Sequence, residues 1–351
     1  IACRCDVPLE KYAIDKIAMF CQVEPKQVVA VHNVSSTYHV PLLLESQNLI
    51  STIVSILHLD RISKSEVLVH QGQQIWSEWK NLIALNDHLY ESVEIALVGK
   101  YTKLHDSYLS VVKSLEHSAM QYSKKLKLSW VDASDLEEEC RRDDPESFHK
   151  AWTSVCTANG IIVPGGFGKR GTEGMIQVTK WARTNKKPYL GVCLGMQIAV
   201  IEYARNVCNI SGATSMEMDE NCQNPVVIFM PEIDKVNLGG TMRLGLRSTV
   251  FQEGSEWSKL RKLYNNKKII HERHRHRYEV NPDYIEKLAA GGLEFIGKDE
   301  KGERMEIIEL RDHPWFVGVQ FHPEYLSKVL SPSRPYLGFV AAAAGLSLKN
   351  N

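Results

Sequence analysis

The stretch PYLGVCLGMQ, residues 188–197, decides how the rest of the chain is read. Residues 190–192 have the apolar character of a buried strand. Beyond Cys193 the apolar residues Met196, Ala199, Val200, Tyr203, Ala204 and Val207 recur at helical spacing. Cys193 therefore sits in a strand-to-helix turn. Gly191 and Gly195 flank it, as a tight elbow requires if helix and sheet are to approach closely. In that setting the thiol is expected to be exposed and to face backbone N–H groups, and a helix N-terminus favours the nucleophilic thiolate. A lone cysteine is usually a small core residue; the elbow argues for a nucleophile.

The 351 residues allow about two domains, and 44% of them are apolar. Lys plus Arg balance Asp plus Glu at 42 each, so no global field recruits nucleic acid or an anionic membrane. Eight cysteines without paired zinc-type spacing suggest reduced thiols in a cytoplasmic setting, and no metal-ligand set is expected. No apolar stretch approaches the ~20 residues of a membrane span. The chain opens on Ile1 and reads as a piece of a longer protein.

Residues 91–347 alternate strands and helices: strands at 94–99, 126–131, 160–163 and 190–192, with helices after 106, over 148–157 and over 173–183. That rhythm predicts an α/β domain with a mostly parallel central sheet flanked by helices. Ligands bind such sheets at the carboxyl ends of strands, where Gly165, Gly166 and Cys193 fall. Shorter strands are expected at 226–230, 241–251, 269–280, 293–296, 305–310 and 315–321, with a hairpin turn at 299–302. Before this domain, residues 1–59 offer helices at 14–21 and 38–49 and a strand at 27–34. These are too few for a core and suggest the end of a domain that packs on a sheet supplied from elsewhere. Residues 60–90 look polar and irregular, a linker with some helix.

A thiolate nucleophile needs a base and a group to orient it. His322 and Glu324, leaving the strand 315–321, are expected to lie on one side in extended geometry. Donors for an oxyanion are the N–H groups of Gly166 and Leu194, each typically worth ~10²–10³ in rate.

The motifs PGGFG (164–168), GVCLGMQ (191–197) and HPE (322–324) resemble a class I glutamine amidotransferase domain. GGTMRLG (239–245) and ERHRHRYEVN (272–281) resemble signature stretches of the CTP synthase family. Residues 1–59 resemble the end of that family's P-loop-type α/β amidoligase domain. No Gly-rich loop ending in Lys-Ser or Lys-Thr occurs, so the resemblance puts the ATP and Mg²⁺ site largely in a preceding part.

The resemblance implies that Cys193, His322 and Glu324 form a triad that hydrolyses L-glutamine, with ammonia used to aminate UTP to CTP. It implies glutamine contacts from Gly166, Leu194, Gly195, Met196, Gln197, Glu217 and Arg277. Glu217 would take the α-ammonium and Arg277 the α-carboxylate, the one anion and one cation that a zwitterion needs. GTP, an allosteric activator, would meet Phe167, Lys169 and Arg170 in a lid, and Thr241 and Leu246 in a wing. Lys16, His32, Asn33 and Val34 would touch the UTP, CTP or ATP side. Homotetramers and filaments are implied, with His149 and Trp152 in the filament-contact region. Two other readings remain: a scaffold of the same family, or another class I amidotransferase or γ-glutamyl hydrolase.

Overall fold

A computed structural model describes residues 1–87, 89–230 and 242–348. The chain divides into two compact units, Ile1–His88 and Leu89–Asn351.

The first unit contains β1 (Ala2–Arg4), α1 (Lys11–Cys21), β2 (Val29–Val31), α2 (Val40–Ser46), α3 (Leu49–Ile56) and α4 (Glu66–Asn86). β1 and β2 pair in parallel. The expected helix at 38–49 is broken, because Asn48 adopts a left-handed conformation (φ 56°) that separates α2 from α3. The expected irregular linker is corrected as well, since α4 runs for 21 residues. Trp79 Nε1 donates to Tyr38 O at 3.1 Å and Trp76 Nε1 to Glu45 Oε1 at 2.5 Å, tying α4 to the α2 region. Ile83 is its only buried residue. Tyr12, Met19, Phe20, Ile50 and Leu57 are all exposed. The unit's own core is small, in keeping with elements that expect a further apolar partner.

The second unit runs β3 (Ser92–Gly99), α5 (Leu109–Gln121), β4 (Lys125–Asp132), α6 (Glu138–Asp143), α7 (Pro145–Thr157), β5 (Gly160–Val163), α8 (Thr172–Thr184), β6 (Tyr189–Val192) and α9 (Leu194–Asn206). It continues with β7 (Ala213–Ser215), β8 (Asn224–Phe229), β9 (Arg243–Phe251), α10 (Lys259–Leu263), β10 (Ile269–His276), β11 (Tyr278–Val280) and α11 (Ile285–Ala290). It closes with β12 (Glu294–Lys298), β13 (Met305–Glu309), β14 (Phe316–Val319) and α12 (Arg334–Ala343). One sheet has the order β10-β9-β12-β13-β14-β6-β5-β3-β4. From β14 to β4 it is parallel, and from β14 to β10 antiparallel. Alternate strand residues feed two cores: Ala96, Ile161 and Val163 meet α9 on one face, while Ile95, Leu97 and Ile162 meet α5 and α12 on the other.

The expected strand 269–280 is two strands. β10 ends at His276, and β11 joins β8 and β7 in a separate sheet, so the chain changes sheets at Arg277. Among the described residues no helix is long and apolar enough to cross a membrane.

Candidate active site

At the end of β6, Cys193 is the N-cap of α9 with φ 52° and ψ −101°, a strained conformation for a residue with a side chain. Its N–H donates to Val319 O at 2.7 Å, anchoring the elbow to β14. The flanking glycines are sterically required. A Cβ on Gly195 would lie 2.0 Å from Val163 O, and one on Gly191 2.5 Å from Gly195 O. Tyr189 Oη donates to Gly195 O at 2.8 Å.

The expected exposed thiol is corrected: Cys193 is only 6% exposed. His322 and Gly165 pack against it from distant parts of the chain. Cys193 Sγ lies 3.8 Å from Arg275 O and receives Gln320 Nε2 at 3.7 Å.

His322 is reached from β14. Pro323 starts a short 3-10 turn there, so the extended geometry expected for residues 322–324 is also corrected. The turn brings the two side chains together: His322 Nδ1–H donates to Glu324 Oε1 at 2.7 Å. Cys193 also acts on the ring, favouring its charged form. Burial opposes charge on His322, but Glu324 and Cys193 outweigh it and hold its pKa well above the ordinary value. Tyr325 stacks on the imidazole at 5.3 Å. A cavity of about 130 Å³ opens here, lined by Tyr101, Gly165, Gly166, Phe167, Cys193 and Arg275 among others.

The other expected glutamine contacts fall into two groups. Leu194, Gly195, Met196 and Gln197 form the first turn of α9 and are buried. The Gln197 amide faces inward, donating to Tyr278 O at 3.0 Å and to Gln320 Oε1 at 3.2 Å, so it reaches the thiol only through Gln320. Glu217 and Arg277 feel each other's charge. Burial raises the Glu217 pKa, while the N–H of Gly168, donated at 2.9 Å, and the charges of Lys100 and Arg277 act to lower it.

Phe167 is 39% exposed, its ring centroid 6.0 Å from Arg275 Cζ. Lys169 is exposed, and Arg170 is bonded to Asp132 at 2.9 Å and to Ser134 Oγ at 3.1 Å. Leu246 is exposed on β9, opposite Arg273. Thr241 lies outside the described residues. In the first unit Lys16 is exposed, its ammonium 5.9 Å from the Tyr12 ring. His32 Nδ1–H donates to Asn33 O at 2.9 Å, Asn33 is held by Arg4 and Asp6, and Val34 is half-buried beside them. His149 is exposed, whereas Trp152 packs against the core and is 6.3 Å from Phe148.

Sequence reasoning missed Lys100. It follows β3 directly, is 2% exposed, and its ammonium donates to Gly168 O. Burial lowers its pKa to about 8, with Glu217 opposing that shift and Arg170 adding to it. Its position at the end of a parallel strand was the available signal. Gly165 is a steric requirement of the site as well as a loop residue. A Cβ there would meet His322 Cε1 at 2.8 Å.

Behind the site, His274, His276 and Glu306 are buried with ligand-type atoms within 4.8 Å of one another. Arg243 Nη2 already holds Glu306 Oε1 at 2.9 Å, and His276 Nδ1–H donates to Tyr278 O at 3.0 Å. His274 Nδ1 lies 3.2 Å from His276 Nε2, while His274 Nε2 and Glu306 Oε2 have no hydrogen-bond partner among the described residues.

Residues 103–342 match the family model described as glutamine amidotransferase class-I, and residues 1–59 match that of the CTP synthase N-terminus. The chain therefore belongs to the class-I glutamine amidotransferase family, and its relatives set it among the CTP synthases. It is 63% identical over 346 residues to CTP synthase of Schizosaccharomyces pombe, covering 99% of this chain and 58% of that protein. Identity to CTP synthase 1 of Saccharomyces cerevisiae is 55% over 348 residues, covering 99% and 60% respectively. The chain thus spans about three fifths of the length of these relatives. The glutaminase domain of Trypanosoma brucei CTPS, solved with bound acivicin, superposes with a TM-score of 0.67 at 37% identity, covering 74% of this chain and 97% of that one.

Proposed function

We propose that this chain is the glutamine-hydrolysing part of a CTP synthase and that Cys193, His322 and Glu324 are its catalytic triad. The observation that carries this reading is the imidazole of His322, bonded to Glu324 through Nδ1 and raised in pKa by both Glu324 and the elbow thiol.

Cys193 Sγ, a thiolate paired with the His322 imidazolium, attacks the carboxamide carbon of L-glutamine. Glu324 fixes the ring tautomer and offsets the imidazolium charge. The oxyanion is met by the N–H groups of Gly166 and Leu194. Collapse breaks the C–N bond, and the His322 imidazolium gives its proton to the departing nitrogen, which leaves as ammonia. Water, deprotonated by His322, then cleaves the thioester to release glutamate and the thiol. Glu217 takes the α-ammonium in exchange for the Gly168 N–H, and Arg277 takes the α-carboxylate.

The ammonia aminates UTP to CTP at the expense of ATP. Lys16, His32, Asn33 and Val34 contribute to that nucleotide side, with Mg²⁺ held mainly by the portion of the family outside the matched region. GTP activates through Phe167, Lys169, Arg170, Thr241 and Leu246; the exposed ring of Phe167 beside Arg275 supports this. The protein is cytoplasmic and assembles as tetramers and filaments, with exposed His149 a better contact than Trp152. The test of the core reading is glutamate release by the protein and by Cys193→Ala. Release undiminished in the variant refutes the triad.

A further inference from the structure

We propose that Glu272 is a further positioning residue of the triad, a second buried carboxyl that acts through Glu324 and sets the charge standing behind His322. The proposal rests on the triad reading above and adds a residue to it.

Along β10 the inward polar side chains are Glu272, His274 and His276, all nearly inaccessible. The residue between the first two is bonded to the base itself, for His322 N–H donates to Arg273 O at 2.7 Å. Glu272 is therefore fixed to the same backbone ladder that places the imidazole. Its Oε1 accepts from Tyr264 Oη at 2.6 Å. Its Oε2 is buried and has no hydrogen-bond partner among the described residues. A carboxylate oxygen left in that state is costly, whereas a protonated carboxyl loses much less.

The groups around Glu272 do not neutralise it. Tyr264, just after α10, donates a neutral hydroxyl, and Arg334 at the start of α12 acts on that tyrosine. Glu324 repels it, and Tyr336 of α12 approaches Glu324 Oε2 at 3.5 Å. Arg247, the partner of Glu272 on β9, turns its Nε to Leu244 O at 3.2 Å. His274, next inward on β10, is kept neutral by burial. Among the described residues Glu272 makes no ion pair.

Burial raises the pKa of Glu272 to about 7, with the Tyr264 hydrogen bond opposing and Glu324 reinforcing that rise. The carboxyl thus changes charge within the working range of a cysteine–histidine pair. Neutral, it leaves Glu324 as the single anion behind His322. Ionised, it adds a second, which tightens the hold of the imidazole on its proton.

The experiment is the pH profile of kcat/KM for glutamine hydrolysis, from pH 5.5 to 9, in the parent, Glu272→Gln and Glu272→Asp. The glutamine side chain still accepts from Tyr264 but cannot ionise. The expected result is an ionisation near pH 7 that is present in the parent and the aspartate variant and absent in Glu272→Gln. The limb belonging to His322 should also move down by about half a unit or more. A purely structural role predicts a lower rate with an unchanged profile, and that result overturns the proposal. Should Glu272→Gln fail to fold, Tyr264→Phe removes the hydroxyl that donates to the carboxyl; the ionisation then moves to higher pH, and an unmoved profile overturns the proposal. Hydrolysis by Cys193→Ala is measured alongside. Its persistence would defeat the triad reading itself, whatever Glu272 does.

Discussion

Replacing Gly165 by alanine tests the site through a single methyl group. An ideal Cβ at 165 falls 2.8 Å from His322 Cε1 and 3.6 Å from both His322 Nε2 and Cys193 Cβ. Comfortable carbon contacts are about 3.5–4.0 Å, so the ring must recede by roughly 0.7–1.2 Å. It cannot do so without stretching its bond to Glu324 or its contact with the thiol. Misplacing a reacting group by about 1 Å costs on the order of 10²-fold, so kcat for glutamine hydrolysis should fall about 30–100-fold. Overpacking should cost about 1–3 kcal/mol of stability. Gly166→Ala is the internal control: its Cβ would meet Leu194 Cδ2 and Lys100 Cδ at 3.4 Å, flexible ends that can yield. Its loss should stay under about tenfold, 1.4 kcal/mol. Steady-state glutamate release and thermal melts of both variants decide the matter. A Gly165→Ala enzyme as fast as the parent, or faster than Gly166→Ala, would show that His322 does not work from this position.

Gly195→Ala sets a Cβ 2.0 Å from a backbone oxygen of β5 and should lose about 4 kcal/mol or more, or fail to fold, as read by melting and soluble yield. Lys100→Met removes a cation that stabilises ionised Glu217, so KM for glutamine should rise roughly fivefold, about 1 kcal/mol, with a smaller change in kcat; an unchanged KM would remove Lys100 from the substrate site. Phe167→Ala and Arg170→Ala should reduce GTP activation more than basal hydrolysis, and equal losses in both would make this loop catalytic and not regulatory. His313 is held neutral, donating to Ala182 O and accepting from Trp315 N–H, and burial lowers its pKa to about 4. Its folded value lies below the unfolded one, so its contribution is complete above about pH 6.5 and is lost as pH falls toward 4, up to about 3 kcal/mol. His313→Gln should therefore flatten the decline of Tm across that window, which a pH series of melts will reveal.

The elbow was legible because its constraints are local: Gly191 and Gly195 stand where a side chain would strike backbone. His322 and Glu324 were legible by chemistry, although Pro323 joins them through a turn. The burial of Cys193 was not, since its cover comes from residues 165, 275 and 322, remote in sequence. Lys100 escaped notice because a lysine after a strand looks the same whether solvated or buried. The break at Arg277 was hidden by polar and apolar alternation that runs through a change of sheet. The helix α4 was hidden for the opposite reason: Val67, Leu68 and Ile75 stay exposed, so no single apolar face announces it.

The two bonds made by Gly168 have a consequence for affinity. Its N–H occupies Glu217 and its carbonyl is held by Lys100. A cation arriving at Glu217 does not enter an empty place; it trades with a peptide group that must then find a partner in water or elsewhere in the protein. The observed binding constant is therefore the difference between two competing occupants. Weakening the resident, by altering the 166–171 loop without touching Glu217, should tighten ligand binding even though no contact to the ligand has been added.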